Sequence, residues 1–332
     1  MKTAEHAVPQ SLLEMIARYS DPQVCHDAMV GFRWANGVAC PHCGCTDPWF
    51  TEARLRWQCK GCKRQFTVKV GTIFEDSPLP LTKWLPAVWL ITNAKNGISS
   101  CELARALPVT QKTAWFMLHR IREAMKNGSF TKLSGTIEAD ETFVGGKEKN
   151  RHTNKKQGWG LPGSISKTIV MGVLERSDKA QSSQVRATVI PNTTKAVLGA
   201  VIRAEVAQFA TIYTDAWRGY NGLSADYIHA MVDHAICYAV GKIHSNGIEN
   251  FWSLLKRTLK GTYVSVEPFH LERYIDEQVF RFNERKGSDA ERFVKVLGQV
   301  NGKRLTYDEL TNSYEGYYER VLPTIQISPM KR

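Results

Sequence analysis

Apolar residues near the start of the chain recur at helical spacing. Leu12, Leu13, Met15 and Ile16, then Met29, Val30 and Phe32, predict helix over 10–35. Trp49 to Trp57 reads as a short hairpin, and Arg64-Gln-Phe-Thr-Val-Lys-Val alternates as a strand does. Pro78-Leu-Pro80 marks a boundary, and the Trp- and Leu-rich stretch Leu81 to Ala94 beyond it reads as a helix. Two short helices are predicted next, over 98–107, opening at a Ser cap, and from Gln111 to Arg122, with Leu107-Pro-Val-Thr as the break between them.

The texture changes from residue 134. Three strands in succession are predicted over 135–144, 166–175 and 184–190, then a helix over 195–207 and a fourth strand over 210–214. Residues 247–260 and 268–284 read as helices. Three consecutive hairpin-like strands exclude a simple doubly wound parallel sheet and predict a mixed α/β layout. The 247–260 helix has two faces: Ile248, Phe251, Trp252, Leu255 and Leu259 point to a core, and Asn246, Glu249, Ser253, Lys256 and Lys260 point away from it.

A chain of 332 residues suggests about two domains, or three if one is small. Hydrophobic residues at 43% and charged residues at 23% are ordinary for a globular protein. The formal charge of +12 favours a polyanionic partner, nucleic acid above all. No apolar run approaches the ~20 residues of a membrane span, Trp84 to Thr92 being the longest candidate. Acidic and basic residues within the first thirty do not fit a signal peptide. The expectation is a protein of the reducing cytoplasm, associated with the nucleoid and not with a membrane.

Four of the eight cysteines form two CxxC pairs, Cys40/Cys43 and Cys59/Cys62, with fifteen residues between the pairs. That spacing is the signature of one tetrahedral Zn²⁺ site in a zinc ribbon. Cys45 and His42 are near enough to be rival ligands, but the symmetric set is simpler. Cys25, Cys101 and Cys237 read as buried small apolar residues. The ribbon's own role stays open among DNA contact, protein contact and stabilisation of its region.

The helix pair around Leu107-Pro-Val-Thr has the helix-turn-helix pattern. In a DNA-binding reading Thr110, Gln111, Lys112 and Thr113 face the groove, while Ala114, Met117, Leu118 and Ile121 pack inward. An ordinary helical hairpin has the same pattern.

Glu138, Asp140 and Glu141 crowd into one predicted strand, where acidic residues are unfavourable, and 138 and 140 share a face. Asp215 ends the fourth strand, and Glu249 opens a helix with Asn246 one turn before it and Lys256 two turns on. Two strand carboxylates and one helix carboxylate make an oxygen-rich cage suited to Mg²⁺ or Mn²⁺. Two such ions serve phosphoryl transfer, and Lys256 would meet a phosphate as a point charge. Scattered surface acids are the plain alternative. Trp217, Arg218 and Tyr220 read either as contacts to a flipped base or strand end or as packing at a turn. The basic run Lys147 to Lys156 reads as a loop able to clamp a DNA backbone.

Four segments carry a family resemblance: CPHCG with CKGCKRQFTVKVGTIF, EADETFVGG, YTDAWRGYNGL and HSNGIENFWSLLKRTLKGTYVSV. The chain resembles, over roughly residues 20 to 290, a bacterial insertion-sequence transposase of the DDE type with an N-terminal zinc ribbon, the insertion-sequence family numbered fifteen-ninety-five (ISXO-type). The resemblance implies an α+β multidomain protein: a zinc ribbon and helix-turn-helix followed by an RNase H-like α/β catalytic domain. The divisions are 1–77 for the N-terminal helix and ribbon, 78–130 for the helix-turn-helix segment, 131–290 for the catalytic domain and 291–332 for a Tyr-rich tail. Its first two metal ligands match Asp140 and Asp215. The third acidic position best matches Glu249, and the lysine seven residues on is Lys256. Members of this group often carry Asn in third place, which here would be Asn246.

The resemblance further implies metal-dependent 3′-end cleavage and strand transfer, double-stranded transposon-end and target DNA as partners, and self-association on DNA. Two other readings remain: a DNA-binding regulator with a non-catalytic RNase H-like domain, and a nuclease that cuts without joining.

Overall fold

A computed structural model describes residues 8–126, 131–146, 167–177, 182–232 and 244–311. The basic run Lys147 to Lys156, Cys237 and the tail tyrosines Tyr314, Tyr317 and Tyr318 lie outside the described residues. The elements begin with α1 (Leu12–Arg18), α2 (Pro22–Arg33), β1 (Pro48–Thr51), β2 (Arg56–Cys59), β3 (Gln65–Phe66), α3 (Leu81–Asn93), α4 (Ser100–Ala106) and α5 (Gln111–Met125). They continue with β4 (Thr136–Val144), β5 (Thr168–Glu175), β6 (Gln184–Ile190), α6 (Lys195–Glu205), β7 (Thr211–Asp215) and β8 (Ile228–Val232). The last are α7 (Asn246–Thr258), α8 (Leu271–Asn283), α9 (Asp289–Gly298) and α10 (Tyr307–Thr311). The chain divides into two compact units. One joins the N-terminal elements through α5 to Glu284–Thr311, and the other holds β4 through α8.

In the first unit the helix predicted over 10–35 is two helices. Asp21 accepts the Gln23 amide N–H at 2.8 Å and Pro22 takes the first helical position, a combination that starts a helix afresh. Strands β1, β2 and β3 form an antiparallel sheet, with Trp49 opposite Gln58 and Trp57 opposite Phe66. One face of it is aromatic: Trp57 stacks on Phe66 at 5.6 Å and on His26 of α2 at 5.0 Å. The strand predicted beyond Arg64 stops at Phe66, because the chain then turns through bonds from Val70 N–H to the Thr67 carbonyl and Thr72 N–H to the Lys69 carbonyl. Helix α9 returns to this unit through Phe293, whose ring lies 5.5 Å from that of Trp89 in α3 and 6.1 Å from that of Tyr19.

The second unit is built on a five-stranded sheet of order β6-β5-β4-β7-β8. β4, β5 and β6 are antiparallel neighbours, whereas β7 runs parallel to β4 and β8 parallel to β7. One face carries Ile137, Ala139 and Ile212 against Leu198 and Ile202 of α6. The other carries Val170, Leu174 and Val185 against Ile248, Phe251 and Leu255 of α7 and Ile275 of α8. β4 is therefore central, with a hydrophobic layer on each side. β8 has no counterpart among the predicted strands. It is an edge strand with Ile228 and Met231 exposed, so no buried alternation marks it. Among the described residues no helix is long and apolar enough to cross a membrane.

Candidate catalytic site and zinc centre

The two CxxC turns bring Cys40, Cys43, Cys59 and Cys62 together, with one ligand sulfur from each and all four within 4.8 Å of one another. Cys40 and Cys62 sulfurs are 3.8 Å apart, and those of Cys43 and Cys59 3.5 Å. A tetrahedron with Zn–S bonds of ~2.3 Å has S···S edges of about 3.8 Å, so the four sulfurs fit the ion. The Cys62 amide N–H also donates to the Cys59 sulfur at 3.4 Å and holds that thiol below its usual range. Cys45 and His42 are not in the set; Cys25 is buried as expected, but Cys101 is exposed in α4.

In the second unit β4 distributes its acidic residues by parity. Glu138 and Asp140 leave the face covered by α7, and Glu141 leaves the face covered by α6. Asp140 pairs with Gly172 of β5. Its Oδ2 accepts the indole N–H of Trp252 at 2.9 Å. A Cβ on Gly172 would lie 2.6 Å from the Trp252 ring, so a glycine there lets the indole come close to β5 and reach the acid. Burial pushes the Asp140 carboxyl up to about 6, and the charges of Asp215 and Glu249 push the same way, opposed by hydrogen bonds from the Glu141 amide and Trp252.

Asp215 stands at the C-terminal end of β7, where its Oδ1 accepts the Trp217 amide N–H at 3.0 Å. Glu249, in the first turn of α7, accepts the Ser245 hydroxyl at 2.9 Å. The two act electrostatically on Asp140, so three elements bring three carboxylates into one field. Asn246, Glu249, Ser253, Lys256 and Lys260 are all exposed along α7 and the π-helical turn Leu259–Tyr263 that continues it, while Ile248, Phe251, Trp252, Leu255 and Leu259 are buried, the two faces expected from the sequence. Asn246 is the first residue of α7, one turn before Glu249, and Lys256 lies two turns beyond Glu249.

The other two acids of β4 have partners that no sequence pattern revealed. Glu138 is fully buried. It accepts Nε of Arg176 at 2.7 Å and the Ile248 amide N–H at 2.8 Å. Arg176 also donates to the His244 carbonyl at 2.6 Å and lies over the Tyr213 ring at 4.8 Å. Glu141 accepts the Tyr220 hydroxyl at 2.6 Å. Burial above all, then the Asp140 and Asp215 charges, pushes its carboxyl up to about 7 against the pull of that bond. Tyr220 is fully buried, so of the three residues after Asp215 it packs at the turn, whereas Trp217 is half exposed. The signal available in the sequence was a buried polar requirement: a core-facing Trp needs a partner for its N–H, and an acid inside a strand needs a donor.

In the first unit Thr110 is the N-cap of α5, accepting the Thr113 amide N–H at 3.2 Å. Gln111 donates to the Ser100 hydroxyl of α4 at 2.7 Å, and the Lys112 ammonium lies over the Tyr307 ring at 4.9 Å. Thr110, Gln111 and Lys112 are exposed and Thr113 half-buried, while Ala114, Met117, Leu118 and Ile121 are buried as predicted.

The chain thus joins a cluster of four cysteines to a mixed α/β domain in which β4, β7 and α7 carry Asp140, Asp215 and Glu249. Residues 132–283 match the ISXO2-like transposase domain, and residues 20–65 match the transposase zinc-ribbon domain. An uncharacterized protein in transposable element ISH50 of Halobacterium salinarum is 30% identical over 238 residues, 68% of this chain and 79% of that protein. An uncharacterized transposase-like protein of Haemophilus influenzae is 31% identical over 118 residues, 35% of this chain and 93% of that one. The chain belongs to the IS1595 family of transposases, with their zinc ribbon and ISXO2-like domain. The ribbon and its four sulfurs support Zn²⁺ at the cysteine site.

Proposed function

We propose that the protein is a DDE-type DNA transposase that cleaves the 3′ ends of an insertion sequence and joins them to target DNA. The observation that carries the reading is the shared field of Asp140, Asp215 and Glu249, contributed by a central strand, the end of its parallel neighbour and the first turn of a helix. The sheet, with three antiparallel strands followed by two parallel ones and helices on both faces, supports an RNase H-like core.

Three carboxylates are a hard-oxygen donor set, the kind that Mg²⁺ or Mn²⁺ takes. Asp140, Asp215 and Glu249 would hold such ions, which supply Lewis acidity at the scissile phosphate and at the attacking water or 3′-OH. Trp252, the Trp217 amide and Ser245 each fix one oxygen of a carboxylate, which orients the set before DNA arrives. Glu249 is the better third ligand than Asn246, since its charge already acts on Asp140. Lys256, exposed on the same helix face, would hold a DNA phosphate. Both steps are in-line attacks on phosphodiesters and need no covalent intermediate.

The helix pair α4–α5 is read as a helix-turn-helix, with Thr110, Gln111, Lys112 and Thr113 at double-stranded DNA of the transposon ends. The net charge of +12 supports that partner and residence on the nucleoid. Holding two ends requires self-association on DNA.

The test is strand transfer by purified protein with Mg²⁺ or Mn²⁺ on DNA from the flanks of the gene. Wild type is expected to give joined product, and Asp140→Ala and Asp215→Ala none. Parallel Glu249→Ala and Asn246→Ala lanes identify the third ligand. End-specific binding without any product from wild type would return the DNA-binding regulator, and cleavage without joining the simple nuclease.

A further inference from the structure

We propose that Glu138 and Glu141 are positioning residues that hold the other two acid-bearing segments in place beside Asp140. The inference rests on the transposase reading above and explains why three acids crowd one central strand.

Glu138 works from the α7 face. Its Oε2 accepts the Ile248 amide N–H at 2.8 Å, in the first turn of α7, where unpaired N–H groups and the helix dipole favour an anion. Its Oε1 takes Nε of Arg176 at 2.7 Å, and Arg176 in turn donates to the His244 carbonyl at 2.6 Å. One carboxylate therefore ties down residues 244–248, the stretch immediately before Glu249. A Cβ on Gly247 would lie 2.8 Å from Glu138 Oε2, so glycine is what lets the helix end come this close. Glu141 works from the opposite face, accepting the hydroxyl of the buried Tyr220 at 2.6 Å in the turn that follows Asp215. β4 thus carries Asp140 between two carboxylates that each anchor a different segment. Apolar side chains would fill the same space, but they would leave the spacing of Asp140, Asp215 and Glu249 unset.

The experiment uses the full chain and the variants Glu138→Ala, Glu138→Gln, Glu141→Ala, Glu141→Gln and Tyr220→Phe. Amide hydrogen exchange is measured on the protein without DNA or divalent metal. Mn²⁺ affinity is then measured by electron paramagnetic resonance, and cleavage is followed against Mg²⁺ concentration. Glu141→Ala and Tyr220→Phe should speed exchange within 216–220 only, and Glu138→Ala within 244–250 only. Each should weaken Mn²⁺ binding by about 10- to 100-fold and raise the Mg²⁺ requirement for cleavage alike, with end binding unchanged. Glu141→Gln keeps an acceptor for Tyr220 and should stay close to wild type; Glu138→Gln keeps the Ile248 bond and should fall between.

Exchange and Mn²⁺ affinity unchanged in both alanine variants would overturn the proposal. So would a Glu141→Gln variant as inactive as Asp140→Ala, which would make Glu141 a metal ligand itself. If Asp140→Ala binds Mn²⁺ as wild type does, the transposase reading fails instead, and local exchange still decides whether the two glutamates hold their segments. Should an alanine variant fail to fold, the Gln and Phe variants carry the decision.

Discussion

Trp252 donates its indole N–H to Asp140 Oδ2 at 2.9 Å, and the ring that does so lies against Gly172, the residue paired with Asp140 across the sheet. One aromatic side chain thereby belongs to two systems. Its ring is part of the layer between the sheet and α7, and its nitrogen orients a carboxylate of the candidate catalytic site.

Trp252→Phe separates the two roles. The ring still covers β5, so the melting temperature should fall only by what the lost bond contributes, about 1.5–3 kcal/mol of stability. Asp140 loses the donor that orients it, so cleavage should fall by about 10- to 100-fold. Gly172→Ala acts on the same contact from the other side. A methyl group 2.6 Å from the indole must push it away, at about 1–3 kcal/mol of overpacking. Thermal melts and cleavage assays of the two variants check this. Cleavage by Trp252→Phe equal to that of wild type would mean that the bond to Asp140 is structural only.

The zinc centre predicts a graded response among the cysteines. Cys43→Ser and Cys59→Ser each remove one of four sulfurs that lie within 4.8 Å of one another, and should abolish bound zinc and unfold the ribbon. Cys45→Ser and His42→Ala should keep one zinc per chain, since neither side chain belongs to the set. Metal content by mass spectrometry and near-ultraviolet circular dichroism from Trp57 and Trp34 report the two effects. Zinc lost on Cys45→Ser would redraw the ligand set.

Much of this site was legible in the sequence, for reasons of periodicity. A strand repeats every two residues, so Glu138 and Asp140 had to share a face; a helix repeats every 3.6, so Glu249 and Lys256, seven apart, had to lie together on one side of α7. The zinc set was legible because its two turns are local. The anchors of the β4 acids were not. Arg176 is 38 residues from Glu138 and Tyr220 is 79 from Glu141, and only the sheet order brings them together. The division of 10–35 into two helices had a local signal in Asp21-Pro22, a cap followed by a residue that cannot continue the preceding helix. β8 had none, because Ile228 and Met231 are exposed at an edge.

Lys112 gives a prediction for DNA. Its ammonium is exposed and lies over the Tyr307 ring, placing a positive charge at the start of α5. If it meets a phosphate, Lys112→Ala should weaken binding to specific and non-specific duplexes alike and reduce the slope of log affinity against log salt by about one. Gln111→Ala, if it reads a base edge, should weaken binding to transposon ends more than to random duplex and leave that slope unchanged. Fluorescence anisotropy over a salt series distinguishes the two, and identical salt slopes for wild type and Lys112→Ala would remove Lys112 from the interface.

Glu141 makes the stability of the metal-free domain depend on pH in a direction opposite to that of a salt-bridged acid. Burial first, then the Asp140 and Asp215 charges, raises its carboxyl from 4.5 to about 7. The folded state therefore holds a proton that the unfolded chain releases at lower pH. Below about 4.5 both states are protonated, and the contribution of Glu141 is fully present. As pH rises through about 7 the folded protein must ionise a buried group, and that contribution is lost. Glu141→Gln is neutral throughout and keeps the acceptor for Tyr220. The melting temperature of wild type relative to this variant should thus decline between pH 5.5 and 8, a range chosen to limit acid release of zinc. Excess Mg²⁺ should shrink the decline, because a cation held by Asp140 and Asp215 offsets the charge that ionisation of Glu141 adds. Calorimetry with and without Mg²⁺ measures both effects, and a difference in melting temperature that rises with pH would show that the Glu141 carboxylate is stabilised as an anion in the fold.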